Sequence, residues 1–398
     1  MNRYFADLHI HVGISESGHW VKIPTSRRLT VRNILETALR QTGLQIVGIV
    51  DALSPWVQED IRNLTAEGKL SPLTGGGYRY ENGVTLLLGA EIETCEAVGG
   101  MCHSLAYLPD LDTMQLFSAE MSKHIRNIGI SSQNAHMPLA RLAQIAAGYG
   151  ALFIPAHVFT PHKSLYGACA GRMAELLTPA GLSSVSAIEL GLSADTDMAD
   201  RIRELWDYPF LTNSDAHSPE KIGREYNLLQ MKSPSHEEFA LALRRSGGRG
   251  IAANYGMDPR LGKYHRSCCE SCGRIFDGEA APELSCPNCG GRKIVRGVAE
   301  RIEALADEPG GSHPAQRPPY HYHVPLRMAP GLGCKTVDKL LAALGTETQL
   351  LHEVSVEDIL RVGGRRAAEA VAAIRSGASS IRSGGGGVYG RIVLNGSE

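Results

Sequence analysis

FADLHIH, at residues 5–11, is an apolar, strand-like run that ends in two histidines two positions apart. Alternate side chains of a strand share one face, so His9 and His11 would reach toward a common point. Working outward, five more short apolar or β-branched runs follow the same plan: LQIVGIVD (44–51), VTLLLGAEIE (84–93), ALFIPAH (151–157), SAIELG (186–191) and FLTNSDAH (210–217). Helical periodicity lies between them, as in VRNILETALRQTG (31–43) and MPLARLAQIAAGYG (137–150). This alternation over residues 1–255 predicts an α/β unit of buried parallel strands. Nearly every run closes on a ligand-type residue: His9 and His11, Asp51, Glu91, His157, Glu189, then Asp215 and His217. In a barrel, all strand ends converge on one face. The expectation is therefore a (β/α) barrel rather than a doubly wound sheet, with eight strands not required.

The 398 residues are 43% hydrophobic and 21% charged, with net charge −2, an ordinary globular composition. A uniformly basic nucleic-acid clamp is excluded, so any nucleic-acid surface must be a local patch. The N-terminus shows no basic, apolar leader, and no run is long enough to span a membrane; a cytoplasmic protein without membrane partners is expected. No Ser-His-Asp signature is evident, and TGGG at 74–77 lacks the Lys and Ser/Thr of a phosphate loop.

Taken singly, each candidate ligand has a bland reading: Asp51 as a helix cap, Glu91 on a solvated loop, His103 or His157 as a hydrogen-bonded core histidine. Together, His9, His11, Asp51, Glu91, His103, His157, Asp215 and His217 predict a multinuclear site for divalent ions. Such a site suits phosphoester hydrolysis, because metals activate water and stabilise the leaving oxygen.

Past residue 255 the composition changes. Cys269-x2-Cys272 and Cys286-x2-Cys289 lie thirteen residues apart in a 256–300 module, with Gly273 and Gly290 after each second cysteine. Four thiolates predict a closed, structural Zn site in a reducing compartment. A polar linker (301–324) leads to an Ala/Leu-rich helical unit (325–398) with a Gly-rich tail, IRSGGGGVYG. PGLGCKT (330–336) reads as a hairpin in which Gly331, Gly333, Lys335 and Thr336 would meet a DNA phosphate, and Gly363-Gly364-Arg365 as a second, looser turn.

FADLHIH, VGIVDALSP, LGAEIE, IPAHVFTPHKSLYG, IELGLSADTDMAD and TNSDAHSPEKIGREY together resemble the PHP superfamily. With ANYGMDPRLGKYH, the cysteine module, the RPPY…VPL linker, the PGLGCKT hairpin and the GGGGVYG tail, almost the whole chain resembles the endonuclease Q family. The resemblance implies a PHP-type distorted barrel holding two or three divalent ions (Zn, Mn or Mg), a Zn knuckle and a helix-hairpin-helix domain. It implies a DNA-repair endonuclease that cuts 5′ to deaminated bases (uracil, hypoxanthine, xanthine) and abasic sites, with a sliding clamp or repair protein as candidate partner. The eight barrel residues become its metal ligands, Asp215, His217 and Glu91 its catalytic centre, and Glu189 a supporting group. A further superfamily ligand after the H-x-H is matched here only by Glu16 or His19. In the FTPHKSLYG loop, Lys163 would contact phosphate, and Phe159 or Tyr166 would stack on a flipped nucleotide. The alternatives are a histidinol-phosphate-like phosphatase and a 3′–5′ exonuclease.

Overall fold

β1 (Asn2–Ile10) is buried from Ala6 onward after an exposed start, with Asp7 and His9 as polar exceptions among the apolar residues expected of a strand covered on both faces. The following strands are β2 (Ile46–Ile49), β3 (Leu70–Pro72), β4 (Tyr78–Tyr80), β5 (Val84–Cys95), β6 (Met101–Leu108) and β7 (Leu152–Pro155). After these come β8 (Ile188–Glu189), β9 (Phe210–Leu211), β10 (Tyr226–Met231) and β11 (Gly250–Gly256). The structure is a computed structural model and describes all residues except Val98, Glu279, Ala280, Glu283, 377–379 and 394–398. The last residues assigned to the helical unit thus lie outside the described residues.

The fold is mixed α/β. Strands β1, β2 and β5 pair in parallel. The run MCHSLAYL then forms β6, antiparallel to both β5 and β7, so β5 and β7 still point the same way. The expectation of parallel strands therefore needs this correction: an unanticipated antiparallel strand separates two of them, and β10 and β11 add an antiparallel flank beside β1. Strands β8 and β9 form their own parallel pair. Isolated bridges join that pair's surroundings to the main sheet, Phe153 to Val185 and Ile10 to Ala216, so the ladder is interrupted rather than continuous around the ring. Leu8, Ile46, Leu87, Leu105, Ile154, Leu211 and Leu229, each from a different strand, nevertheless meet in one buried cluster. Each such side chain contributes roughly 1.5–3 kcal/mol by leaving water.

Helices pack outside. Thr30 caps Val31–Thr37 by accepting from the Asn33 N–H, and Asp110 caps Leu111–Met121 in the same way through Thr113. The first continues through a wider turn to Gly43, where φ is +80° and a Cβ would lie 2.2 Å from the hydroxyls of Thr346 and Thr348. The C-terminal helical unit docks there. It has its own core of Leu326, Val337, Leu340, Leu350, Ile359 and Val371. No helix among the described residues is long and apolar enough to cross a membrane.

Candidate metal centre and active-site cleft

The backbone brings the two spaced pairs together. The His11 N–H donates to the Ala216 carbonyl and the Ala216 N–H donates to the His9 carbonyl, both at 3.1 Å. His9-x-His11 and Asp215-x-His217 are thereby held side by side at neighbouring strand ends. Glu91 arrives on β5, His103 on β6 and His157 just past β7. Two groups result, His9 with His11 and Asp215, and Glu91 with His103 and His157, each with its ligand atoms within 4.8 Å of one another. Glu91 joins the two: Oε1 is 2.8 Å from His103 Nδ1, 3.3 Å from His157 Nε2 and 3.6 Å from His9 Nε2, while Oε2 is 3.6 Å from His11 Nε2.

These residues fit divalent ions. His9 Nε2, His11 Nε2 and His103 Nδ1 are buried without a hydrogen-bond partner, and all three point into the groups just described. The 2.8 Å approach of His103 to Glu91 is not aligned as an N–H···O bond. Each buried orphan costs about 1–3 kcal/mol unless something binds it. The opposite ring nitrogens are all held by carboxylates. Glu189 holds His9 Nδ1 at 3.0 Å, Asp51 holds His11 Nδ1 at 3.1 Å, and Glu93 holds His103 Nε2 at 3.2 Å. A carboxylate behind a histidine fixes its tautomer and leaves the facing lone pair for a metal.

The electrostatics agree. Burial opposes charge on His9, but Glu189, Asp215 and Glu91 push its pKa up to about 10. Burial likewise opposes ionisation of Glu91, yet His103 and Lys22 hold it well below the carboxylate range. Backbone strain collects here too: His157 has φ +32°, Asp215 +46° and Ser132 +53°. Gly191 is required at this point, since a Cβ there would sit 2.8 Å from His157 Cβ.

A family model described as PHP-associated matches residues 195–246. The uncharacterized protein YqxK of Bacillus subtilis (strain 168) is 44% identical over 394 residues, covering 98% of this chain and 100% of that protein. The crystal structure of the lesion-specific endonuclease PfuEndoQ from Pyrococcus furiosus superposes with a TM-score of 0.84 and 33% identity, over 99% of this chain and 96% of that one. A structure of Endonuclease Q with a 27-mer duplex bearing an abasic lesion at the active site gives a TM-score of 0.85 and 32% identity, over 99% and 97%. The chain belongs to the endonuclease Q family.

In this endonuclease Q family member, His11 and Asp215 of one group and Glu91, His103 and His157 of the other line a single cleft, which Lys163, His162, Lys263 and Tyr264 also line. His217 lines it without joining either group. Its Nδ1 lies 3.0 Å from the Asp215 carbonyl, and burial lowers its pKa to about 4. Asp51 stands behind His11, accepting also from the Val12 N–H and the Ser131 hydroxyl. Lys163 reaches Glu93 at 2.7 Å. Tyr166 is wholly buried, stacked on Phe159 at 5.3 Å with its hydroxyl donating to Glu204, contrary to the expected stacking position. A second cavity, lined by Leu261, Tyr322 and Ile374 among others, holds none of the candidate barrel ligands.

The four cysteines gather with Cys269 Sγ 3.6 Å from Cys289 Sγ and Cys272 Sγ 3.7 Å from Cys286 Sγ. Gly273 and Gly290 turn the chain at φ +72° and +71°, but their N–H groups donate to the Cys269 and Cys286 carbonyls, and the sulfurs are met by other N–H groups: those of Ser271 and Cys272 at Cys269, of Arg274 at Cys272 and of Gly291 at Cys289. In the helical unit, Gly331 (φ +83°) and Gly333 lead into Cys334–Leu344, with Lys335 exposed and Thr336 in its first turn. Only a single 3-10 turn, Leu326–Met328, precedes that hairpin. Gly364, by contrast, is flanked by the full helices Val356–Gly363 and Arg365–Ser376.

Proposed function

We propose that this protein is a metal-dependent DNA-repair endonuclease that nicks 5′ to deaminated bases (uracil, hypoxanthine, xanthine) and to abasic sites. One observation carries the reading. Two His–carboxylate groups with orphaned, forward-facing nitrogens occupy the strand-end cleft of a chain that matches, along nearly its whole length, an Endonuclease Q bound to a lesion-bearing duplex.

In this reading His9, His11 and Asp215 hold one divalent ion and Glu91, His103 and His157 another, with Glu91 between them. Zn, Mn or Mg bound there supplies Lewis acidity toward water and the phosphoryl oxygens. Asp51, Glu189 and Glu93 keep the imidazoles in the tautomer that faces the cleft. His217 donates from Nδ1 to the Asp215 carbonyl and stays neutral near pH 7, leaving Nε2 able to accept a proton. Lys163 and Lys263 at the cleft wall carry charge suited to the flanking phosphates. Lys335 and the N–H groups of the Gly331–Gly333 hairpin suit backbone phosphates farther along the duplex. The four cysteines hold a structural Zn.

The test is a nicking assay on a labelled duplex with one deoxyuridine or deoxyinosine, against an undamaged control. A single cut 5′ to the lesion is expected, lost with chelator and lost in Asp215→Asn while duplex binding persists. End-trimming, or turnover of a small phosphomonoester without lesion-dependent cutting, would replace this reading with an exonuclease or a phosphatase.

A further inference from the structure

The segment after the H-x-H offers Glu16 and His19 as the superfamily's further ligand, and the structure sends both elsewhere. His19 stacks on Trp56 with ring centroids 3.8 Å apart, and the Glu16 carboxylate lies 3.9 Å from Arg32. Lys22 enters the cleft from that segment instead. Its backbone is anchored on both sides: the Lys22 N–H donates to the Gly13 carbonyl at 3.4 Å, and the Val21 carbonyl accepts from Ser131 at 2.7 Å. The ammonium sits 2.9 Å from Glu91 Oε2 and also donates to the Ser132 hydroxyl, with the side chain only 12% exposed.

That position divides the site by charge. Glu91 turns Oε1 toward His9, His103 and His157, and Oε2 toward His11 and Lys22. On the His11 side, Asp51 is already engaged by His11, Val12 and Ser131. His217 belongs to neither of the two ligand groups found among the described residues. The carboxylates of Asp51, Glu91, Glu93, Asp215 and Glu189 carry five negative charges against one positive charge each on Lys22 and Lys163, a balance that two divalent ions already exceed. A third divalent ion on this side would add two positive charges beside an ammonium that cannot diffuse away.

We infer that the barrel holds two metal ions, not three, and that the tethered ammonium of Lys22 stands where a third would sit. This rests on the metal-site reading above and adds the count and the residue that sets it. Lys22 thereby fixes the outer oxygen of Glu91 whatever the metal supply.

The full chain is stripped with chelator, reloaded with excess Mn(II), desalted, and its Mn counted by elemental mass spectrometry. The soft thiolate site prefers Zn, so Mn reports the barrel. Two Mn per chain are expected in the wild type and three in Lys22→Asp, which exchanges the ammonium for a ligand. Circular dichroism checks the variant's fold, and the wild-type count decides alone if the variant misfolds. Three Mn in the wild type, or a folded Lys22→Asp that stays at two, overturns the inference. A wild-type count of none or one overturns it together with the metal-site reading itself.

Discussion

Glu189 is fixed by three neighbours: it holds His9 Nδ1, accepts from the His157 N–H at 2.9 Å and accepts from Asn213 at 2.7 Å. Removing its charge leaves the histidine in place but frees its tautomer. Glu189→Gln is expected to weaken barrel metal affinity by about 10–100-fold, as losses behind a ligand do, with little change in fold. Competition against a graded chelator measures this. Glu225 tests a different property. It is fully buried, with one carboxylate oxygen unpartnered and the other accepting from the Met257 N–H, and burial raises its pKa from 4.5 to about 8. The folded state therefore keeps a proton that the unfolded chain releases. The contribution to stability is complete below pH 4.5 and is lost as pH rises through about 8, at up to about 1.4 kcal/mol per pH unit. Urea unfolding at pH 5, 6.5 and 8 should show this decline in the wild type and a flatter profile in Glu225→Gln.

Among the elements, what was legible followed from strand periodicity. Two ligands on one strand face leave a spacing of two in the sequence, so His9-x-His11 and Asp215-x-His217 could be read directly. The same spacing links Glu91 and Glu93, and it could have revealed Glu93 as the partner of His103. Lys22, Ser131 and Ser132 left no such trace, because they come from irregular segments positioned by contacts with distant chain. The antiparallel β6 was obscured because its residues are buried almost throughout, which gives no alternation to set against a helix. The stacking role given to Tyr166 failed for a related reason: an aromatic beside a ligand histidine looks the same in sequence whether it faces the cleft or the core. The hairpin before Cys334–Leu344 makes its own prediction. Lys335→Ala should weaken binding equally for damaged and undamaged duplex and reduce the slope of log affinity against log salt by about one. Fluorescence anisotropy across a salt series would show it, and a lesion-dependent effect would contradict a phosphate-only contact.

For the whole molecule, the three buried, unpartnered imidazole nitrogens make the ion-free protein less stable than its packing alone would give. Chelator treatment should lower the melting temperature by several degrees, and readdition of Mn(II) or Zn(II) should restore it in proportion to free metal. An unchanged melting curve would mean that the cradle does not bind ions in the folded state. The bridge between Ile10 and Ala216 has a further consequence, for kinetics. It joins residues separated by most of the barrel's length, so the chain must close a very long loop before the two spaced pairs can face each other. A fragment that stops short of β9 would carry His9, His11, Glu91, His103 and His157 and could still pair β1 with β2, yet it would lack Asp215 and the bridge that brings the two spaced pairs face to face. Ion capture should therefore mark the end of refolding, trailing the burial of the strands instead of seeding it.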